Sequence, residues 1–78
     1  MTVQHGGPVP PSRQIAAIIR EQIESGQLRP DEKLPSYLSL ASEYKVSAET
    51  AAKAVRILRD EGLVVIVPSY GAFVVRQE

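Results

Sequence analysis

The chain has 78 residues, nine basic and nine acidic side chains, and no cysteine. At this length it forms at most one domain, and the missing cysteines exclude disulfides and thiolate metal sites. No apolar run approaches the roughly 18 residues of a membrane span, and the start lacks a secretory signal, so we expect a cytoplasmic protein.

The N-terminal segment, residues 1–11, is rich in glycine and proline and predicts a flexible tail. His5, the only histidine, lies in this tail, where we expect an unstructured and solvated side chain. The folded domain is predicted to span residues 12–76, and residues 77–78 form the C-terminal end.

The first predicted helix runs from Arg13 to Ser25, with Ser12 as its N-cap and Gly26 just beyond its end. Apolar residues recur in it at helical spacing and make one face: Ile15, Ile18, Ile19 and Ile23. This pattern is typical of an amphipathic helix that packs on a core.

Two further helices follow, and each is preceded by a serine that suits an N-cap. Ser36 precedes a short helix from Tyr37 to Glu43, and Ser47 precedes a longer one from about Ala48 to Glu61. Between them, residues 45–47 form a tight turn. The third helix has the clearest apolar stripe in the chain: Ala51, Ala54, Val55 and Leu58.

The end of the chain changes from helical to strand patterning. Residues 63–67 are rich in β-branched side chains, residues 68–71 have turn chemistry, and residues 73–76 predict a second strand. The fold class is therefore mainly α with a small β-hairpin, which is a winged helix-turn-helix of three helices and a two-stranded wing.

In this order and spacing, five stretches resemble the N-terminal DNA-binding domain of the GntR family of bacterial transcription regulators: Ile23-Glu24-Ser25-Gly26-Gln27-Leu28-Arg29-Pro30, Lys33-Leu34-Pro35-Ser36, Leu40-Ala41-Ser42-Glu43-Tyr44-Lys45-Val46-Ser47, Leu58-Arg59-Asp60-Glu61-Gly62-Leu63 and Gly71-Ala72-Phe73-Val74. The resemblance covers about residues 12–75, which is most of the predicted domain.

The resemblance implies a sequence-specific regulator that binds a palindromic operator in double-stranded DNA as a homodimer. The third helix, residues 48–61, would lie in the major groove, and the wing, residues 68–72, would contact the backbone or the minor groove. Family members normally add a C-terminal domain for effector binding and dimerisation. Since this sequence lacks one, we expect either a fragment or a minimal stand-alone protein.

Several positions depart from the family pattern, and each replaces a charged residue by an apolar or neutral one. Tyr37-Leu38 stands where Glu-Arg is usual, Ala48 and Ala52 stand where arginines are usual, and the wing tip Pro68-Ser69-Tyr70 lacks basic residues. The zero net charge also counts against nucleic-acid binding. The remaining candidate DNA contacts are Ser36, Tyr37, Lys45, Ser47, Thr50, Lys53, Arg56, Ser69 and Tyr70.

Some of these candidates have a purely structural alternative. The two serines serve as caps in either case. Lys53 and Arg56 could instead pair with Glu49 and Asp60 at helical spacing, and Tyr70 could fold back as a hydrophobic plug.

A second function remains open at this point, namely a winged helix used for protein–protein interaction with weak or no DNA binding. It would require Leu38, Ala48 and Ala52 to form an exposed apolar patch. An enzyme is excluded because the sequence offers no cysteine, no histidine outside the tail and no phosphate loop. We expect no cofactor and no metal.

Overall fold

The computed structural model describes residue 3 and residues 6–76. In these residues three helices, α1 (Pro11–Glu24), α2 (Tyr37–Tyr44) and α3 (Ala48–Asp60), precede two strands, β1 (Val64–Val67) and β2 (Gly71–Val74). The strands pair in an antiparallel hairpin. The predicted fold class, mainly α with a two-stranded wing, is confirmed.

Helix α1 begins earlier than its apolar period suggests. Pro11 is its first residue and Pro10 its N-cap, so Ser12 lies inside the helix and the predicted cap at Ser12 is wrong. Proline suits the first helical position because its φ is fixed near the helical value and it lacks the N–H that would stay unpaired there.

The residues before α1 include one that packs into the domain. Val3 is 5% exposed and belongs to the core cluster, so the predicted tail is not free of core contacts. Pro11, placed in the tail by the sequence, is helical. The prediction for His5 lies outside the described residues.

Helices α2 and α3 begin at their predicted caps, because the Oγ of Ser36 accepts the N–H of Ser39 and the Oγ of Ser47 accepts the N–H of Thr50. Both predicted ends are off by one residue. Helix α2 continues to Tyr44, and α3 stops at Asp60. The spacing of apolar residues predicts that a helix is present but does not determine its last residue.

Helix α3 forms the centre of the domain and packs against α1, α2 and β1. The residues of its predicted stripe are fully buried, at 0% exposure: Ala51, Ala54, Val55 and Leu58. Helix α1 adds Ile15, Ile19 and Ile23 to the same core. The stripe places the opposite face of α3 in solvent.

The wing differs in its bounds from the sequence prediction, because strand pairing sets them. Val64 pairs with Val74 and Val67 with Gly71, so β2 begins before Phe73 and ends before the predicted Arg76. In the loop the N–H of Tyr70 donates to the Val67 carbonyl at 3.0 Å, and Ser69 has a φ of 70°, as the third residue of a type II turn does.

A third segment extends the hairpin on the side of β2. Lys33 forms an isolated antiparallel bridge with Phe73, and the N–H of Leu34 donates to the Ala72 carbonyl at 2.8 Å. These bonds tie the segment that leads into α2 to the wing. The start of α2 and the wing are therefore held side by side.

Candidate nucleic-acid interface

The first turns of α2 and α3 have the same hydroxyl arrangement. Besides capping the helix, the Ser36 hydroxyl shares a hydrogen bond with the Ser39 hydroxyl at 3.1 Å, and the Ser47 hydroxyl shares one with the Thr50 hydroxyl at 3.0 Å. One proton of each pair makes this bond, and the other has no acceptor in the described part of the chain. Each first turn therefore offers one hydroxyl donor to an external ligand.

Three cations lie on the turn between α2 and α3 and on the exposed face of α3: Lys45, Lys53 and Arg56. Within residues 6–76 none of them forms an ion pair. The alternative pairing with Glu49 and Asp60 does not form among these residues, and the Asp60 carboxylate instead accepts from Arg59 at 3.1 Å. These cations are available for an anionic partner.

The zero net charge hides an uneven distribution along the chain. Residues 33–56, from the residue before the Leu-Pro-Ser motif to the last of these cations, contain four basic and two acidic side chains, a net of +2. The other residues together carry five basic and seven acidic side chains, a net of −2. The helix-turn-helix segment is thus the basic part of a neutral protein.

The wing turn is exposed and carries Ser69 and Tyr70 outward. Tyr70 is 70% exposed, so its interpretation as a hydrophobic plug is wrong. It shares a groove of about 190 Å³ with Tyr37, which lies in the first turn of α2. The structure therefore brings together two candidates that are far apart in sequence.

The apolar replacements do not form the patch that a protein-interaction module would need. Leu38 is 74% exposed, but Ala52 is only 8% exposed and Ala48 is half-buried. The exposed apolar patch that the protein-interaction alternative requires is therefore not formed by these three residues.

The far end of α3 is fixed to α1 by an ion pair. Arg20 donates through Nε and one terminal nitrogen to the two carboxylate oxygens of Glu61, at 2.8 and 2.6 Å. The hydrogen bond to Arg20 lowers the pKa of Glu61, and the same bond raises the pKa of Arg20. This bidentate pair joins residues 41 positions apart and links the end of α3 to α1.

Sequence reasoning did not select Lys33 or Ser39 as candidate contacts. The sequence shows that Lys33 stands directly before the Leu34-Pro35-Ser36 motif. It does not show that Lys33 lies near the wing, because this depends on pairing with Phe73. Ser39 was considered only as a cap partner. Its hydroxyl also bonds to the Ser36 hydroxyl, a contact that was not predicted from the sequence.

Among the residues that the structure describes, no group of three or more histidine, cysteine, aspartate or glutamate side chains is placed to hold a metal ion. No helix in the same residues has the length and apolarity to cross a membrane. What the surface does offer is hydroxyl donors, cations and phenols, the groups that contact phosphates and base edges.

In a comparison with known protein families, residues 11–74 match the bacterial regulatory proteins of the gntR family. Among curated proteins, the histidine utilization repressor of Klebsiella aerogenes is 37% identical over 67 residues, which cover 86% of this chain and 28% of that protein. The transcriptional repressor NagR of Bacillus subtilis is 34% identical over 74 residues, covering 95% and 30%. The chain thus spans less than a third of the length of these relatives.

Solved structures resemble the domain over nearly all of its length. YtrA of Sulfolobus acidocaldarius, a GntR-family transcription factor, has a TM-score of 0.84 and 37% identity, covering all of this chain and 66% of that one. The DNA-binding domain of AraR in complex with operator ORX1 has a TM-score of 0.87 and 30% identity, covering 95% of this chain and 94% of that one.

Proposed function

Because the chain belongs to the GntR family of bacterial regulatory proteins, we propose that it binds double-stranded DNA and regulates transcription. The observation that carries the proposal is the likeness to the AraR DNA-binding domain, which was solved on its operator and matches nearly the whole of both chains. The exposed, unpaired cations on the helix-turn-helix segment give the likeness a physical basis.

In this proposal α3 enters the major groove with its exposed face. Thr50 lies in the first turn, where its hydroxyl and its methyl group can contact base edges. Lys45, Lys53 and Arg56 neutralise backbone phosphates, and the release of condensed counterions then favours binding. The domain would obtain much of its affinity from charge and only part of it from arginine–guanine contacts.

The start of α2 and the wing contact the backbone on either side of the recognition helix. The backbone N–H groups at the helix starts capped by Ser36 and Ser47 would contact phosphates. Hydroxyl groups would come from Tyr37, Ser69 and Tyr70. The operator would be palindromic and bound by a homodimer, because two-fold protein symmetry requires a two-fold site. The protein would act in the cytoplasm, where bacterial DNA is accessible.

The proposal is tested by fluorescence anisotropy with a pool of random duplexes at about 50 mM salt, repeated at rising salt. We expect saturable binding whose logarithmic affinity falls by about 0.9 per phosphate contact for each unit of log salt. Absence of binding at low salt, in a protein shown by circular dichroism to be folded, would overturn the proposal.

The residue assignments are tested separately by an NMR titration with a bound duplex. The amides of Ser36, Ser47, Thr50, Lys53 and Tyr70 are expected to shift together and to saturate at one stoichiometry. The amides of Arg59 and Glu24 serve as internal controls, because the proposed contact surface does not include them. DNA binding without shifts in the first group would contradict the assignments but not the function.

A further inference from the structure

A groove lies between the start of α2 and the wing turn, and Lys33 is the residue that joins its two walls. The groove is lined by Lys33, Ser36 and Tyr37 on one side of the bridge and by Tyr70, Gly71 and Ala72 on the other. Because Lys33 is bridged to Phe73 through its backbone, its side chain leaves from a fixed point beside the wing.

The Lys33 side chain lies across Gly71. A Cβ atom on Gly71 would come within 2.9 Å of Lys33 Cε and 3.8 Å of Nζ. The absent side chain at Gly71 therefore gives the lysine stem its path over the wing strand. Lys33 is also one of the residues that line the groove.

The charges around the groove leave this ammonium without a partner inside the described residues. Of the two neighbouring acids, Asp31 accepts from Arg76 at 3.0 Å and Glu32 accepts from the Arg29 N–H at 3.0 Å. None of the residues that line the groove is acidic. The groove therefore carries one unneutralised positive charge, for which an anion is the complementary ligand.

We propose that Lys33 binds a backbone phosphate of DNA in this groove, next to the hydroxyl groups of Tyr37 and Tyr70. The inference rests on the proposed function and adds a contact to it. Lysine binds phosphate as a point charge, and tyrosine hydroxyls are among the usual partners of phosphate oxygens. Because the groove joins α2 to the wing, one phosphate bound there fixes the register of both elements on the duplex.

A phosphate contact carries no sequence information, and this property makes the inference testable. Lys33→Met keeps most of the stem that crosses Gly71 and removes only the charge. We expect the slope of log affinity against log salt to become shallower by about 0.9, with the ratio of affinities for two different duplexes unchanged. Lys33→Arg restores the charge and is expected to restore the slope.

The matched control is Arg59→Gln, which removes the same charge from a residue already paired with Asp60. Its salt slope is expected to stay at the wild-type value. If Lys33→Met is folded and binds with the wild-type slope, or if it changes the preference between duplexes, the inference is wrong. If the wild-type protein does not bind DNA, the proposed function fails as well.

Replacing single phosphates of a bound duplex by neutral methylphosphonates locates the contact. One phosphate is expected at which neutralisation weakens wild-type binding but has no further effect on Lys33→Met. If every neutralised phosphate weakens both proteins by the same factor, Lys33 does not contact the backbone.

Discussion

The two ends of α3 differ in whether their charged side chains form ion pairs. At the C-terminal end, Glu61 is paired with Arg20 and Asp60 with Arg59, so the charges neutralise one another. At the N-terminal end and on the following turns, Lys45 and Lys53 face solvent without an ion pair within residues 6–76.

The difference shows why total charge is a poor guide to this domain. Near the C-terminal end of α3, acidic side chains neutralise basic ones in ion pairs. The unpaired cations lie near its N-terminal end, where an anionic partner would bind. A neutral sequence can therefore present a basic surface, because affinity for DNA depends on the cations that reach phosphates and not on the sum over the chain.

Both ends depend on the packed face of α3, and removing part of it has the largest expected effect. Leu58→Ala deletes most of a fully buried side chain, and we expect the free energy of unfolding to fall by about 2–5 kcal/mol. Such a loss approaches the whole stability of many small domains. Urea unfolding followed by circular dichroism measures it.

Leu38→Ala is the matched control, since Leu38 is mostly exposed. Its effect is expected to stay within about 0.5 kcal/mol. Equal destabilisation by the two variants would contradict the placement of Leu38 outside the core.

At the N-terminal end, Ser47→Ala removes the cap of α3. We expect a loss of about 1 kcal/mol in the free energy of unfolding, because the Thr50 N–H loses its acceptor. Ser42→Ala, at an exposed position in α2, is the control and is expected to be close to neutral. A loss in Ser47→Ala no larger than in this control would show that the hydroxyl is not needed as a cap.

Substitutions of Lys45 are expected to change the stability of the domain and its affinity for DNA in opposite directions. Its backbone has φ 57°, in the left-handed region, which glycine adopts without steric cost. Lys45→Gly is expected to raise the free energy of unfolding by up to about 1 kcal/mol, and to make the salt slope of DNA binding shallower by about 0.9. Lys45→Asn, which tolerates the same backbone region, should lower the slope equally; a wild-type slope in either variant would contradict the phosphate contact.

At the C-terminal end, Glu61→Gln is expected to have the smallest effect, below about 1 kcal/mol at pH 7, because solvent screens this half-exposed pair. Arg20 lowers the pKa of Glu61 below its ordinary value of 4.5. A carboxyl whose pKa is lower in the folded state contributes stability above its unfolded pKa and loses it as the pH falls through the folded pKa. The difference between the wild type and Glu61→Gln should therefore begin to shrink as the pH falls below 4.5 and should vanish only below the folded pKa.

Unfolding measured between pH 7 and pH 3 checks this prediction. Asp60→Asn is the control, since its partner Arg59 is the adjacent residue and the pair joins no separate elements. A difference between wild type and Glu61→Gln that grows as the pH falls would contradict the direction of the pKa change.

The sequence alone determined the helices and the core stripe of α3. Spacing of three and four residues places Ala51, Ala54, Val55 and Leu58 on one side of any helix, and a serine before a helix caps it through contacts three residues away. These are local relations, so Ser36 and Ser47 were predicted as caps without knowledge of the fold. The resemblance to the GntR family added the order of the elements and the expectation of DNA binding.

Only the tertiary structure decided which residues meet across the chain. Pairing between strands set the bounds of the wing, and contacts between separate elements covered Val3, joined Arg20 to Glu61 and placed Lys33 beside Gly71. Sequence spacing has no information on such distances, because each depends on how several helices and strands pack at once. For the same reason the sequence showed nine cations but not which of them stay unpaired.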